Sequence, residues 1–138
     1  MTSPDGNLLG TFTAFFDHGL LMVEDLESNA AHEGWDAATE FIHHDRDSLY
    51  IAVQSVVDGA VSVGVYRDVA PADEIEGLIP AFSGEIESDS GRFRIYDSDE
   101  AAVLTVIGYA GRNRLEVFID EQNTVSRVVV VVGAMNRV

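Results

Sequence analysis

The chain has 138 residues and a mass of 15.0 kDa, and its 24 Asp and Glu face 8 basic residues, for a formal net charge of -16. All eight basic residues are arginines (Arg46, Arg67, Arg92, Arg94, Arg112, Arg114, Arg127 and Arg137), so lysine is absent. Such a surface repels nucleic acid and anionic membrane and attracts basic proteins or cations, while the lack of cysteine excludes disulfides, thiolate metal sites and cysteine nucleophiles.

Alternating and β-branched runs fill the chain from start to finish. A first strand is predicted over 10–16 and a second over 19–24. The segment 28–44 is ambiguous: Ala31, Trp35, Ala38 and Ile42 fall at helical spacing, but Gly34 interrupts them. A loop or short helix through Trp35 followed by a strand over 38–43 is favoured, with Trp35 plugging the core at a bend. Residues 48–57 and 60–67 alternate on either side of Asp58-Gly59, a dipeptide suited to a tight hairpin turn. One short helical turn is predicted between Ala70 and Glu76. A strand over 78–87 follows, and Pro80 marks it as an edge strand or a strand start. Ser88-Asp89-Ser90-Gly91 reads as a turn and 92–96 as a strand. Three more strands are predicted over 102–108, 114–120 and 126–132; the last is nearly all valine, so it is expected at the centre of a sheet and covered on both faces.

Strands about 8 to 12 residues apart with turn signals between them predict an all-β fold, an antiparallel β-sandwich of C2-like or jelly-roll-like form with at most one short helix. The size predicts a single domain over 1–138, with 1–9 as a flexible N-terminal arm. The longest apolar run, 128–132, is far short of the ~20 residues a membrane span needs. The first residues carry neither the basic start nor the apolar run of a signal peptide, so a cytoplasmic protein is expected.

Motifs that carry chemistry are sparse. His43-His44-Asp45-Arg46-Asp47 holds the densest set of potential metal ligands, but adjacent strand residues point to opposite faces, and a polar turn between two strands is the simpler reading. His18 and His32 stand alone. Asp97, Asp99 and Glu100 offer hard oxygens that calcium would accept, without the glycine and distal glutamate of an EF-hand loop. Gly-x-Ser-x-Gly, the phosphate-binding Gly-x-x-x-x-Gly-Lys and His-Glu-x-x-His are all missing, so no enzyme is predicted and no cofactor beyond calcium is considered. Arg92 and Arg94 share one strand face and are expected to pair with neighbouring carboxylates.

The order of features resembles the competence protein J family, inhibitors of DNA-entry nucleases and small β-sandwich proteins. The likeness runs through Asp17-His18-Gly19-Leu20-Leu21-Met22-Val23, Glu33-Gly34-Trp35-Asp36-Ala37-Ala38, Leu49-Tyr50-Ile51-Ala52-Val53, Ile79-Pro80-Ala81-Phe82, and Ile107-Gly108-Tyr109 or 111–117. It implies an acidic, non-enzymatic protein that blocks a basic partner such as a nuclease, its carboxylates imitating phosphates. The contact surface is expected on acidic loops at one end of the sandwich: Asp17, Glu24, Asp25 and Glu27 after the first strands, and Asp97, Asp99 and Glu100 near the later hairpins. The alternatives are a calcium- or ligand-binding sandwich using Asp97, Asp99 and Glu100, and a housekeeping or assembly domain whose acidity reflects salt adaptation or GC-rich coding. Homodimerisation through edges near Pro80 or 128–132 is a further expectation.

Overall fold

A computed structural model describes residues 7–30, 35, 40–98, 100, 102–122 and 124–135. In chain order the elements are β1 (Leu8–Ala14), β2 (Leu20–Asp25), β3 (Ile42–Asp45), β4 (Ser48–Ala52), β5 (Val61–Arg67), α1 (Ala72–Ile75), β6 (Ile79–Ser88), β7 (Arg92–Asp97), β8 (Val103–Ile107), β9 (Gly111–Ile119) and β10 (Arg127–Ala134). They form two five-stranded sheets, A in the order β1-β5-β10-β9-β6 and B in the order β3-β4-β2-β7-β8. The all-β sandwich with one short helix expected from the sequence is the observed fold. Pairing is antiparallel throughout these sheets except between β5 and β10, which run parallel.

The core is the product of the alternation. Leu21, Val23, Leu49, Ile51, Phe93 and Ile95 from sheet B meet Val61, Val63, Val65, Ile86, Leu115, Val117, Val128, Val130 and Val132 from sheet A, all buried. β10 is the central strand of its sheet, as its valines predict. Val129 and Val131 are buried on the outer face too, packed with Tyr66 of β5 and with Ala70, Ile75 and Leu78 from the segment around α1. β6, with Pro80, lies at the edge. On one side of the sandwich the sheets meet where His44 of β3 packs edge-on against Phe82 of β6, ring centres 5.0 Å apart. On the other side β1 runs beside β8, and a Cβ on Gly10 would lie 2.6 Å from Leu104.

Four expectations are corrected. Asp58-Gly59 does not close a hairpin, because β4 pairs with β2 and β3 in sheet B while β5 pairs with β1 and β10 in sheet A. Residues 53–60 are a crossing between sheets, so β4 stops at Ala52, and the turn that carries Asp58 uses Gly59 at φ +127° to redirect the chain. Trp35 does not plug the core. Leu49 and Ile51 already fill the inner face of β4, and the half-buried indole rests on the outer face, edge-on to Tyr50 (5.5 Å) and stacked on His43 (6.3 Å). The third strand covers 42–45 rather than 38–43; the helical alternative falls on 31–34 and 36–39, outside the described residues. Residues 7–9 are not part of a flexible arm, since Leu8 and Leu9 belong to β1 and Asn7 donates its amide to the Arg67 carbonyl at 2.7 Å; residues 1–6 lie outside the described set.

Candidate partner-binding site

Three chain reversals meet at one end of sheet B: the exit of β2, the β3–β4 turn and the β6–β7 turn. Asp25, the last residue of β2 and only 3% exposed, holds them. Its carboxylate accepts hydrogen bonds from Ser88 Oγ (2.5 Å), Ser90 Oγ (2.7 Å), Ser90 N (3.3 Å) and Glu27 N (2.9 Å). Burial alone would raise this carboxyl, but the donors outweigh it, and Asp25 titrates below the ordinary carboxylate range. Asp47 ties in the β3–β4 turn, its carboxylate accepting from Ser28 Oγ (2.8 Å) and its carbonyl from Asp25 N (2.9 Å). Glu87 N donates across to the Arg46 carbonyl (2.9 Å), locking sheet A to the same turn.

The three reversals surround an open cavity of about 440 Å³ whose charged lining is Asp25, Glu27, Asp45, Arg46, Asp47 and Asp89. Five carboxylates thus face one guanidinium. Arg46 lies among them, 2.8 Å from Glu87 and 3.9 Å from both Asp47 and Asp89. The hydrogen bond to Glu87, then the charges of Glu87 and Asp89, raise it above the usual arginine value. The cleft presents carboxylate acceptors. Among the described residues no group of three or more His, Asp or Glu is disposed to hold a metal ion. Carboxylates of this kind are able to accept charge-assisted hydrogen bonds from cationic groups such as guanidinium.

The seven residues singled out in the sequence divide between the two ends of the sandwich. In the β2–β7 register Asp25 stands opposite Phe93 and Leu21 opposite Asp97, so Asp97 is four residues along the strand from the cleft, ~13 Å at the ordinary rise. Asp17 and Glu100 share that far end, and Asp99 lies outside the described residues. Three of the seven are buried and engaged within the chain. Glu24, buried on the outer face of sheet B, accepts from Ser48 Oγ (2.8 Å) and from the Tyr96 hydroxyl. Burial, then the Glu24 hydrogen bond and charge, push Tyr96 far above the ordinary tyrosine range. Asp97, also buried, accepts from Ala102 N at 2.8 Å and shapes the turn that leads to β8. Asp25 is the clamp already described. Glu100 pairs with Arg94, and Asp17 and Glu27 are exposed. Asp45 and Asp47, weighed above as metal ligands or turn residues, and Asp89, a turn residue, line the cleft; of the His43 to Asp47 cluster, His43, His44 and Asp45 belong to β3, with His43 and His44 on opposite faces, and Arg46 and Asp47 form the turn to β4.

The architecture defines the protein as a two-sheet β-sandwich with an acidic cleft at one end. No protein-family model matches the sequence, and no curated protein matches it. Among solved structures it is similar to ComJ, inhibitor of the DNA degrading activity of NucA, from Bacillus subtilis, with a TM-score of 0.71 and 8% identity, covering 93% of this chain and 97% of that one. It is also similar to the product of crocagin biosynthetic gene J, with a TM-score of 0.56 and 12% identity, covering 94% and 97%. At these identities the likeness is one of fold, and the resemblance drawn from the sequence holds at that level.

Proposed function

We propose that the protein is a non-enzymatic binding protein whose acidic cleft receives basic side chains of a partner, acting as an inhibitor seated on the phosphate-binding surface of a nuclease. The observation that carries this reading is the convergence of Glu27, Asp45, Asp47 and Asp89, beside the buried clamp Asp25, around one open cavity in which Arg46 is the one basic residue among the described lining. Carboxylates fixed by turns can meet Arg and Lys in charge-assisted hydrogen bonds, in place of the phosphates a nuclease engages. The fold shared with ComJ supports a nuclease as the partner.

The test is cleavage of labelled DNA by any nuclease found encoded near this chain, with the purified chain titrated in. Stoichiometric inhibition is expected at low salt, with an association rate that falls as salt rises. Undiminished cleavage in the presence of excess protein at low salt would sink the reading.

A further inference from the structure

We propose that β8 pairs antiparallel with β8 of a second copy of this chain, joining the two B sheets into one continuous sheet. β8 ends its sheet, with β7 as its hydrogen-bonded neighbour. Exposed edges are ordinarily blunted by charge, proline, a bulge or brevity. The other three edges have such devices. β6 carries Pro80, an irregularity between Pro80 and Phe82, and Glu85 and Glu87; β3 is four residues long and ends on Asp45; β1 shifts register between Leu8 and Gly10. β8, Val103-Leu104-Thr105-Val106-Ile107, has none. Its outward side chains are Val103, 45% exposed, Thr105, and Ile107, 63% exposed.

Two observations commit the occupant to a second copy. Pairing about Thr105 sets Val103 of one copy opposite Ile107 of the other and Leu104 opposite Val106, apolar pairs with no like charges opposed across the two-fold axis. Charge points the same way. Residues 7–16 and 102–111 contain no charged side chain, and the fold lays their strands, β1 and β8, side by side. The nearest charges one strand inward are Arg92 and Arg94, opposite Ile107 and Thr105, and Arg94 is paired with Glu100. Two molecules of charge -16 repel over most approaches, and this flank is where that repulsion is weakest. A basic partner gains no attraction here, which separates this surface from the acidic cleft.

Sedimentation equilibrium of the full chain over a concentration series is expected to show a shift from 15.0 kDa towards twice that mass, stronger at high salt because screening relieves repulsion. The cysteine-free chain makes a crosslink unambiguous. Directly opposed residues in an antiparallel pair have Cα atoms ~4.5–5.5 Å apart, inside the disulfide range of ~4.4–6.8 Å. A Thr105→Cys variant is expected to form a covalent dimer under mild oxidation, while a Ser83→Cys variant on the exposed β6 edge stays monomeric. Ile107→Lys is expected to abolish the mass shift with an unchanged far-ultraviolet circular dichroism spectrum. A single 15.0 kDa species at every concentration and salt overturns the proposal, as does a dimer that persists in Ile107→Lys or crosslinks equally from both cysteine variants. Thr105 and Ile107 do not line the cleft, so nuclease inhibition reads the other proposal separately.

Discussion

Replacing Asp25 with alanine removes one acceptor that serves two hydroxyls and two backbone amides. Ser88, fully buried, would be left with only a 3.4 Å contact to the Arg92 carbonyl for its hydroxyl proton. Hydrogen bonds to a charged group contribute ~1.5–3 kcal/mol each. The four share one carboxylate, and the Glu27 and Ser90 amides can turn to water, so about 3 kcal/mol is expected for Asp25→Ala rather than their sum. For a chain of this size that corresponds to a fall in Tm of roughly 10 °C. Urea unfolding at pH 7 measures the difference. The pH dependence supplies a second reading with a defined sign. The folded-state value of Asp25 is depressed below its unfolded value of 3.8. The stabilisation is therefore complete above that unfolded value and lost as pH falls through the depressed folded one. The gap between wild type and Asp25→Ala should narrow below about pH 4. A loss under ~1 kcal/mol at pH 7, or a gap that stays constant down to pH 2, would refute the assignment of Asp25 as the clamp of the three reversals.

Gly108→Ala would set a Cβ 2.6 Å from Phe93 Cε2 and 3.1 Å from Asn113 Oδ1, both residues fully buried, and overpacking of this kind costs about 1–3 kcal/mol by urea titration. Tyr96→Phe removes the hydroxyl donor from buried Glu24 and leaves Ser48 as its remaining hydroxyl partner; a loss of ~1–3 kcal/mol with unchanged circular dichroism is expected. The triple variant Asp45→Asn/Asp47→Asn/Asp89→Asn removes three of the five cleft carboxylates; association with the nuclease, followed by stopped flow at low salt, should slow by ~10-fold or more. Millimolar calcium should leave the melting temperature unchanged in scanning fluorimetry, because Asp97 is buried on Ala102 N and Glu100 is paired with Arg94; a rise of several degrees would restore the calcium alternative.

Much of the fold is legible because each strand writes its burial in alternate residues. The valines of β10 announce a strand covered on both faces, and Pro80 announces an edge. The Asp58-Gly59 misreading shows the boundary of such reasoning. The dipeptide fits a tight turn, but whether flanking strands pair depends on which sheet each one completes, and that is decided by β2 and β10, distant in sequence. Trp35 misleads for a related reason: a large apolar ring is expected inside, yet the inner face of β4 is already full. The cleft was illegible because its carboxylates come from positions 25–27, 45–47 and 89. Each is an ordinary turn residue locally, and only the stacking of three reversals brings them together. Asp25, Glu24 and Asp97 read as free acids in the sequence because nothing in a one-dimensional pattern shows that Ser88, Ser48 and Ala102 occupy them.

The distribution of charge bears on why the chain is so acidic. An acid coat selected for solvation would place carboxylates on every face. Here two uncharged segments are folded together into one flank, while five carboxylates gather in one cleft. Among the described residues Arg46, Arg94, Arg112, Arg114 and Arg127 are all bound to carboxylates of the same chain, so few cations are free to blunt that contrast. Such segregation makes the two proposed associations respond to salt with opposite sign. Attraction at the cleft weakens as the Debye length shortens from ~30 Å at 0.01 M to ~10 Å at 0.1 M, and over the same range repulsion between two copies also weakens. Raising salt should therefore slow capture of the nuclease and tighten the β8 dimer in one sample. Measuring both by light scattering and stopped flow across that range tests the common cause, and responses of the same sign would show that charge segregation does not govern either surface.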